Sequence, residues 1–156
     1  MRITLVETGK TRDEYILKGI SEFRKRLERY VPFSIETIPD LKHSRHMTMK
    51  EVQKKEGEQI IRRIKPDSYV ILLDERGREF TSISLAEHIN SLEGRVKHIM
   101  FVIGGPYGFA DSVYSLANER ISLSKLTFSH QMVRLIFLEQ LYRSFTILKG
   151  EPYHHA

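Results

Sequence analysis

Residues 98–108, which read His98-Ile-Met-Phe-Val-Ile-Gly-Gly-Pro-Tyr-Gly108, decide the fold of this chain. The apolar run that ends at Ile103 is typical of a strand covered on both faces. The glycines directly after it let backbone amides approach a ligand closely. Because ligands of open α/β sheets bind beyond the carboxyl ends of the strands, this segment predicts a binding site. The loop fits neither the Walker A nor the dinucleotide pattern, and a purely structural turn is the alternative.

Strands and helices alternate along the rest of the chain, and we predict one α/β domain over residues 1–156 with a mainly parallel sheet. Strands are predicted at residues 2–7, 33–38, 68–74, 98–103 and 120–124, and helices at residues 11–30, 48–65, 84–93, 111–117 and 129–149. Residues 75–78 are predicted to form a turn, and residues 39–47 a polar, basic loop. Capping boxes are predicted at residues 48–51 and 84–87, and Ser129 is the expected N-cap of the final helix.

The composition excludes several classes of protein. The sequence has no cysteine, so disulfides, thiolate metal sites and thiol catalysis are excluded. No segment reaches the length of a transmembrane helix, and the opening residues are too short and too charged for a signal peptide. We therefore expect a cytoplasmic protein without membrane association.

Positive charge is concentrated in the first part of the chain. Residues 1–65 carry 16 Lys+Arg against 10 Asp+Glu, whereas residues 66–156 carry 9 against 10. Clustered positive charge attracts nucleic acid through counterion release. A solvated helix face of mixed charge explains the same pattern, because acidic residues are interleaved with the basic ones.

The segment before the final helix is a second candidate wall for a ligand. It reads Leu123-Ser124-Lys125-Leu126-Thr127-Phe128. Apolar side chains here could cover a flat heterocycle while backbone groups bond the ring edge. An ordinary connection carrying two core residues is the alternative. The helix that follows is apolar almost all round, which indicates that it needs more than one neighbour and favours a subunit interface.

Three charged or titratable residues on the final helix are candidates for chemistry. His130 lies in its first turn and is a candidate base, although a structural histidine is the alternative. Arg134 lies one turn later, and Arg143 lies further along. Charged groups on so apolar a helix need partners, either carboxylates such as Glu139 or a bound anion. A structural ion pair within the dimer is therefore the competing interpretation for both arginines.

The chain closes with Tyr153-His154-His155. This segment could fold over a site, or it could be a disordered end. Adjacent histidines do not converge on one ion, and no carboxylate cluster accompanies them, so we expect no metal.

The order of these signals along the chain is specific, and the sequence resembles the RlmH family, the SPOUT-class pseudouridine N3-methyltransferases of large-subunit rRNA. The segments that carry the resemblance are Ile3-Thr4-Leu5-Val6, Lys55-Glu56-Gly57-Glu58-Gln59, Ile103-Gly104-Gly105-Pro106-Tyr107-Gly108, residues 123–128, His130, Arg134, Glu139-Gln140-Leu141-Tyr142-Arg143 and Pro152-Tyr153-His154.

The resemblance implies a fold, a cofactor and a set of site residues. The fold is an α/β knot, in which the C-terminal part threads a trefoil knot, and the protein is a homodimer. S-adenosyl-L-methionine is the implied methyl donor. Its implied contacts are Leu73, Gly104, Gly105 and the six residues Leu123, Ser124, Lys125, Leu126, Thr127 and Phe128. The implied catalytic residues are His130, Arg134, Arg143 and His154, and the implied substrate contacts are Tyr142, Tyr153 and His154.

The implied substrate is a pseudouridine in the 23S rRNA stem-loop (helix 69) that faces the decoding centre, methylated at N3 on the assembled 70S ribosome. This chemistry agrees with the lack of cysteine, because N3 transfer requires alignment and removal of one proton rather than a thiolate adduct. His130 or His154 is the candidate base, and Arg134 or Arg143 could stabilise the anionic base. Two alternatives remain: a non-catalytic RNA- or ribosome-binding protein, and a SPOUT methyltransferase for tRNA.

One departure from the family pattern lies at the end of the chain. Relatives often carry Arg or Lys after the terminal histidine, whereas this chain has His155 and Ala156. A neutral imidazole would weaken any phosphate contact from that position.

Overall fold

The computed structural model describes residues 1–155. The strands are β1 (Arg2–Thr8), β2 (Phe33–Ile38), β3 (Tyr69–Glu79), β4 (His98–Ile103) and β5 (Glu119–Ser122). The helices are α1 (Glu14–Leu27), α2 (Met49–Arg63), α3 (Ser82–Leu92), α4 (Asp111–Leu116) and α5 (Met132–Leu148). A short 3₁₀ turn at Ser44–His46 lies within the predicted basic loop.

The five strands form one sheet in the order β2-β1-β4-β3-β5, and all of its pairs are parallel. The predicted parallel α/β architecture is therefore confirmed. Since parallel strands point the same way, the loops that follow all five strands meet at one edge of the sheet, which we call the carboxyl edge.

Helices cover both faces of the sheet. The cores of α1, α3 and α5 pack with one set of strand side chains, including Leu5, Ile71 and Phe101. The core residues of α2 and α4 pack with the alternate set, including Val6, Leu72 and Val102. This alternation explains the continuous apolar runs of the central strands, because both of their faces are buried.

The predicted turn at residues 75–78 is wrong, because β3 continues through it to Glu79. The strand pairs with β5 first around Leu73 and again, after a register shift, at Arg78. At Gly77 a Cβ atom would stand 2.6 Å from the backbone nitrogen of Ile121. Glycine is therefore needed here because the backbones of β3 and β5 come close together. It does not mark a reversal of chain direction, which is what a glycine at this position suggests from the sequence.

The predicted helix starts are confirmed at one position and wrong at another. The capping box of α2 is present, with the Thr48 hydroxyl accepting from the Glu51 amide. The capping box of α3 is formed by Thr81 and Ser84, so the predicted box that begins at Ser84 is wrong by one turn. Both sites carry a hydroxyl three residues before a polar side chain, but in the box that is used the second residue is Ser84 and not the Glu or Gln of the usual pattern.

The N-cap residue of α5 is Gln131, so the N-cap predicted at Ser129 lies two residues too early, although the Ser129 hydroxyl accepts a hydrogen bond from the Met132 amide at 3.1 Å. None of the helices within residues 1–155 is long and apolar enough to cross a membrane.

The start of α5 is fastened to the end of β1 by a buried arginine. Arg134 is 0% exposed and donates to the Thr8 carbonyl at 2.6 Å and to the Thr11 hydroxyl at 2.8 Å. Its Nε lies 3.6 Å from Oε2 of buried Glu7. An isolated buried charge is costly, so these partners hold the first turn of α5 in one place. The chain after β5 must therefore cross the carboxyl edge as far as β1.

Replacing Arg134 tests this attachment. Arg134→Met leaves the Glu7 carboxylate buried without its cation, so we expect a loss of about 3–5 kcal/mol in the free energy of unfolding. Arg12→Met is the control, since its ion pair with Asp40 is exposed and should be worth less than about 1 kcal/mol. Urea denaturation measures both. Equal losses for the two variants would show that the buried pair does not hold α5.

Candidate functional site

A cavity of about 500 Å³ opens at the carboxyl edge of the sheet. Three parts of the chain form its walls: the end of β3, the glycine loop (residues 104–108) after β4, and the connection from β5 to α5. Of the predicted cofactor contacts, those that line it are Leu73, Gly104, Gly105, Leu123, Ser124, Leu126, Thr127 and Phe128. The structure thus brings together residues up to 55 positions apart in the sequence, as the resemblance implied.

Lys125 is placed differently from its neighbours. Its side chain is 85% exposed, its ammonium group lies 3.8 Å from the Glu79 carboxylate, and it does not line the cavity. The Ser124 hydroxyl accepts from the Leu126 amide at 2.9 Å, which closes a tight turn around Lys125. Its direct contact with a cofactor remains a prediction.

The glycine loop presents backbone to the cavity. The Gly108 amide donates to the Gly105 carbonyl at 3.2 Å, and Gly108 has a positive φ of 76°. A Cβ at Gly104 would stand 2.9 Å from the Phe109 ring, and one at Gly105 would stand 2.4 Å from a Glu56 carboxylate oxygen. Both glycines are therefore required by close neighbours, so the cavity wall is made of peptide groups.

Helix α2 supports the glycine loop from the side away from the cavity. Gln53 donates from Nε2 to the Tyr107 carbonyl at 2.9 Å. One turn later, Glu56 is 8% exposed, and its Oε1 is buried with no hydrogen-bond partner. Burial, and then the negative charge of Asp40, raise the pKa of Glu56 to about 7. The carboxyl group beneath the loop is therefore largely protonated just below neutral pH.

Two acidic side chains of the cavity wall were missed from the sequence. Asp74 and Glu75 line the cavity, and the Tyr114 hydroxyl donates to Oδ2 of Asp74. Burial and this hydrogen bond raise the pKa of Tyr114 to about 12. Within β3, Asp74 lies just after the buried apolar residues Val70–Leu72, and that position was the signal that could have found it.

The candidate catalytic residues fall into three separate places. His130 is exposed and lines the cavity. Arg134, one turn further, is buried against Glu7 and Thr8 and does not line it. The ion pair of Arg134 is formed within one chain, whereas the structural alternative stated for it was an ion pair within the dimer; a catalytic role for Arg134 remains a prediction.

The third place is a cluster on the second half of α5, which we call the tail cluster: Glu139, Tyr142, Arg143, Tyr153 and His154. Arg143 donates to Oε1 of Glu139 at 2.5 Å and to Nδ1 of His154 at 3.1 Å. The Tyr153 hydroxyl donates to the same Glu139 oxygen at 3.0 Å, and its ring packs against Tyr142 with centroids 4.8 Å apart. Of the two kinds of partner predicted for Arg143, the carboxylate of Glu139 is confirmed, and Tyr153 and His154 are folded onto the helix.

The cavity and the tail cluster lie at different ends of α5. Val133 lines the cavity, whereas Arg143 lies ten residues further along the helix, about 15 Å away at 1.5 Å per residue. Within one chain, therefore, His130 and His154 do not converge. In the part of the chain that the structure describes, no group of three or more His, Asp or Glu side chains could hold a metal ion.

Comparison with known proteins assigns the family. The family model described as "Predicted SPOUT methyltransferase" matches residues 1–154. The chain is 49% identical to the Ribosomal RNA large subunit methyltransferase H of Parabacteroides distasonis over 156 residues, which cover 99% of each chain. The proteins of the same name from Bacteroides thetaiotaomicron and Christiangramia forsetii are 46% and 49% identical over the same shares of each chain.

The chain forms a parallel sheet with a cavity at its carboxyl edge, and the glycine loop is one wall of that cavity. The family model matches almost the whole length of the chain. Together these findings define the class of protein: this is a SPOUT methyltransferase fold. Within that class, the chain belongs to the RlmH family of ribosomal RNA large-subunit methyltransferases.

The buried Glu56 predicts an unusual pH dependence of stability. Its pKa is about 7 in the folded protein and about 4.5 when solvated, so between these values the folded state binds more protons. The free energy of unfolding should therefore fall as pH rises from about 4.5 to 7. Glu56→Gln has no such titration. We expect this variant to gain stability relative to the parent protein between pH 5 and pH 8, by at most about 3 kcal/mol.

Thermal or urea unfolding at the two pH values measures the difference. Glu58→Gln is the matched control, because Glu58 is exposed on the same helix and should show no such gain. A constant difference between parent and Glu56→Gln across this range would contradict the burial of an uncompensated carboxyl group.

Proposed function

We propose that this protein methylates N3 of a pseudouridine in the 23S rRNA stem-loop (helix 69) that faces the decoding centre, acting on the assembled 70S ribosome with S-adenosyl-L-methionine as methyl donor. One observation carries the proposal: Leu73, Gly105 and all of residues 123–128 except Lys125 line a single cavity, in a chain that matches proteins named Ribosomal RNA large subunit methyltransferase H over 99% of its length.

The residues of the cavity suit that donor. Leu73, Leu126 and Phe128 offer apolar surface to an adenine ring, and the peptide groups of residues 123–128 can bond its edge. The missing Cβ atoms of Gly104 and Gly105 leave room for close backbone contact. Asp74 and Glu75 supply negative charge for a ligand that carries a cationic centre. SPOUT methyltransferases generally use this donor.

The bound donor supplies an already electrophilic methyl group. The protein then has to align a target nitrogen and accept its proton. We assign the base to His130, because it is the exposed imidazole that lines the cavity. A guanidinium only donates, so Nδ1 of His154 accepts from Arg143 and its proton resides on Nε2. His154 is therefore suited to donate to the target base, and Arg143 to favour the anion that forms as N3 loses its proton.

This division of roles between His130 and the tail cluster requires two chains. His130 and the tail cluster are too far apart along α5 to act together within one protomer. A homodimer with α5 at a two-fold seam could place the tail cluster of one protomer over the cavity of the other. The exposed apolar side chains at the cavity, Leu126 at 71% and Tyr107 at 42%, support coverage by a partner. Tyr142 and Tyr153 would then reach the substrate from the partner's side.

The course of the chain supports the implied trefoil knot. After β5 at the sheet margin, residues 123–131 pass the ends of β3 and β4 to reach β1, where Gln131 bonds the backbone of Lys10 and Arg12. A crossing of this kind at the carboxyl edge is what a knotted C-terminal part needs. We include the knot in the proposal.

Basic loops beside the cavity supply a docking surface for RNA. Lys10 and Arg12 follow β1, and Lys42 and Arg45 follow β2, so all four lie at the carboxyl edge and are exposed. Such side chains bind phosphates with a strong dependence on salt. They are part of the excess positive charge of the first 65 residues.

Methyl transfer tests the substrate. Labelled S-adenosylmethionine is offered with 70S ribosomes, free 23S rRNA and tRNA in parallel, and we expect incorporation into 23S rRNA of intact ribosomes. Label in tRNA alone would favour the tRNA methyltransferase. Ribosome binding without S-adenosylmethionine binding in calorimetry would favour the non-catalytic alternative.

Mixed dimers test the catalytic assignment. His130→Ala and His154→Ala should each keep cofactor affinity, and His130→Ala should lose about 10²–10⁴-fold in turnover because the base is gone. If the histidines act from different protomers, a dimer of one chain of each variant has one intact site and recovers about half of the parent rate. Turnover retained by both single variants would exclude histidine as the base.

A further inference from the structure

Glycine is required at position 105 for a reason that involves Glu56. Gly105 does not have the positive φ that favours glycine, unlike Gly108 in the same loop. The constraint at position 105 is therefore space. A Cβ there would stand 2.4 Å from Oε2, 2.6 Å from Oε1 and 2.8 Å from Cδ of Glu56, so the carboxyl group fills the volume that a side chain would take.

Contacts of its neighbours fix the α2 backbone around Glu56, and its carboxyl group is buried with no hydrogen-bond partner for Oε1. It is 8% exposed in the middle of α2, and the next residue, Gly57, packs against Ala110, where a Cβ would come within 3.0 Å. One turn before it, Gln53 bonds the loop backbone at Tyr107. The carboxyl group is therefore trapped between the helix and the glycine loop. It does not line the cavity, so it meets the loop on the opposite side from a ligand.

We infer that Glu56 is a positioning residue for the methyl donor. Its buried carboxyl group packs against Gly105 and so fixes the position of the glycine loop, which forms one wall of the cavity. The inference rests on the proposed use of S-adenosylmethionine and adds a residue that does not touch it. With Glu56 in place, the peptide group at position 105 stands at a set distance from the ligand. Without it, the loop is free to sink toward α2.

A pair of substitutions isolates this contact. Gly105→Ala places a methyl group against the carboxyl and should weaken S-adenosylmethionine binding at least tenfold, measured by calorimetry. Adding Glu56→Ala removes the obstruction, so the double variant should regain most of that loss. Gly104→Ala is the matched control: its Cβ meets the Phe109 ring, so Glu56→Ala should not rescue it. No rescue at position 105, or equal rescue at both positions, would overturn the inference.

Glu56→Ala alone should raise KM for S-adenosylmethionine several-fold while kcat changes little, and Glu56→Gln, which keeps the volume, should restore KM. Hydrogen exchange reports on the loop without any ligand: exchange of the Gly108 amide should accelerate several-fold in Glu56→Ala and remain unchanged in Lys54→Ala, an exposed neighbour on α2. Unchanged exchange in Glu56→Ala would overturn the role of Glu56. If exchange of the Gly108 amide responds to Glu56→Ala as expected but the parent protein does not bind S-adenosylmethionine, the result would instead refute the proposed function, and with it the assignment of the ligand.

Discussion

The bonds of Arg134 to the end of β1 determine where the C-terminal third of the molecule can lie. A guanidinium that is 0% exposed must have partners, and here they are the Thr8 carbonyl, the Thr11 hydroxyl and the carboxylate of Glu7. These partners lie on and just after β1, and two strands, β3 and β4, separate β1 from β5, where the preceding segment begins. Residues 123–131 must therefore cross the carboxyl edge in front of β3 and β4. That crossing makes one wall of the cavity, opposite the glycine loop.

The opposite wall depends on a second buried polar group. Glu56 and Gln53 on α2 meet the glycine loop from behind, one by filling the space at Gly105 and the other by a hydrogen bond to Tyr107. The ligand-facing side of the loop is left to peptide groups. Each wall of the cavity is thus held from the far side by a buried polar residue that the ligand would not touch, a common way of keeping a binding geometry rigid.

Sequence patterns predicted strands and helices correctly where the apolar pattern of neighbouring residues alone determines the element. The strand His98–Ile103 and the strand Phe33–Ile38 were predicted with the bounds that the structure has, because burial on one or both faces leaves a direct apolar pattern. The continuation of β3 through residues 75–78 was not predicted, because Gly77 is there for contact with the backbone of β5. The true cap of α3 at Thr81 was missed because its N3 residue is Ser84, whereas the usual capping-box pattern has Glu or Gln at that position. A long-range contact leaves no periodic signal in the chain.

For the site, the sequence by itself determined the order of chemical parts: an apolar strand, a glycine loop, a mixed segment, His130 and a tail of aromatic and imidazole groups. Comparison at 49% identity then assigned the family. Only the tertiary structure decided which of these parts meet. It grouped Leu73, Gly105 and Phe128 around one cavity and buried Arg134 in the core. It also placed Arg143 of the tail cluster about 15 Å along α5 from Val133, which lines the cavity. The physical reason is that spacing along a chain specifies helices and strands, whereas the placement of a buried charge depends on partners supplied by distant residues.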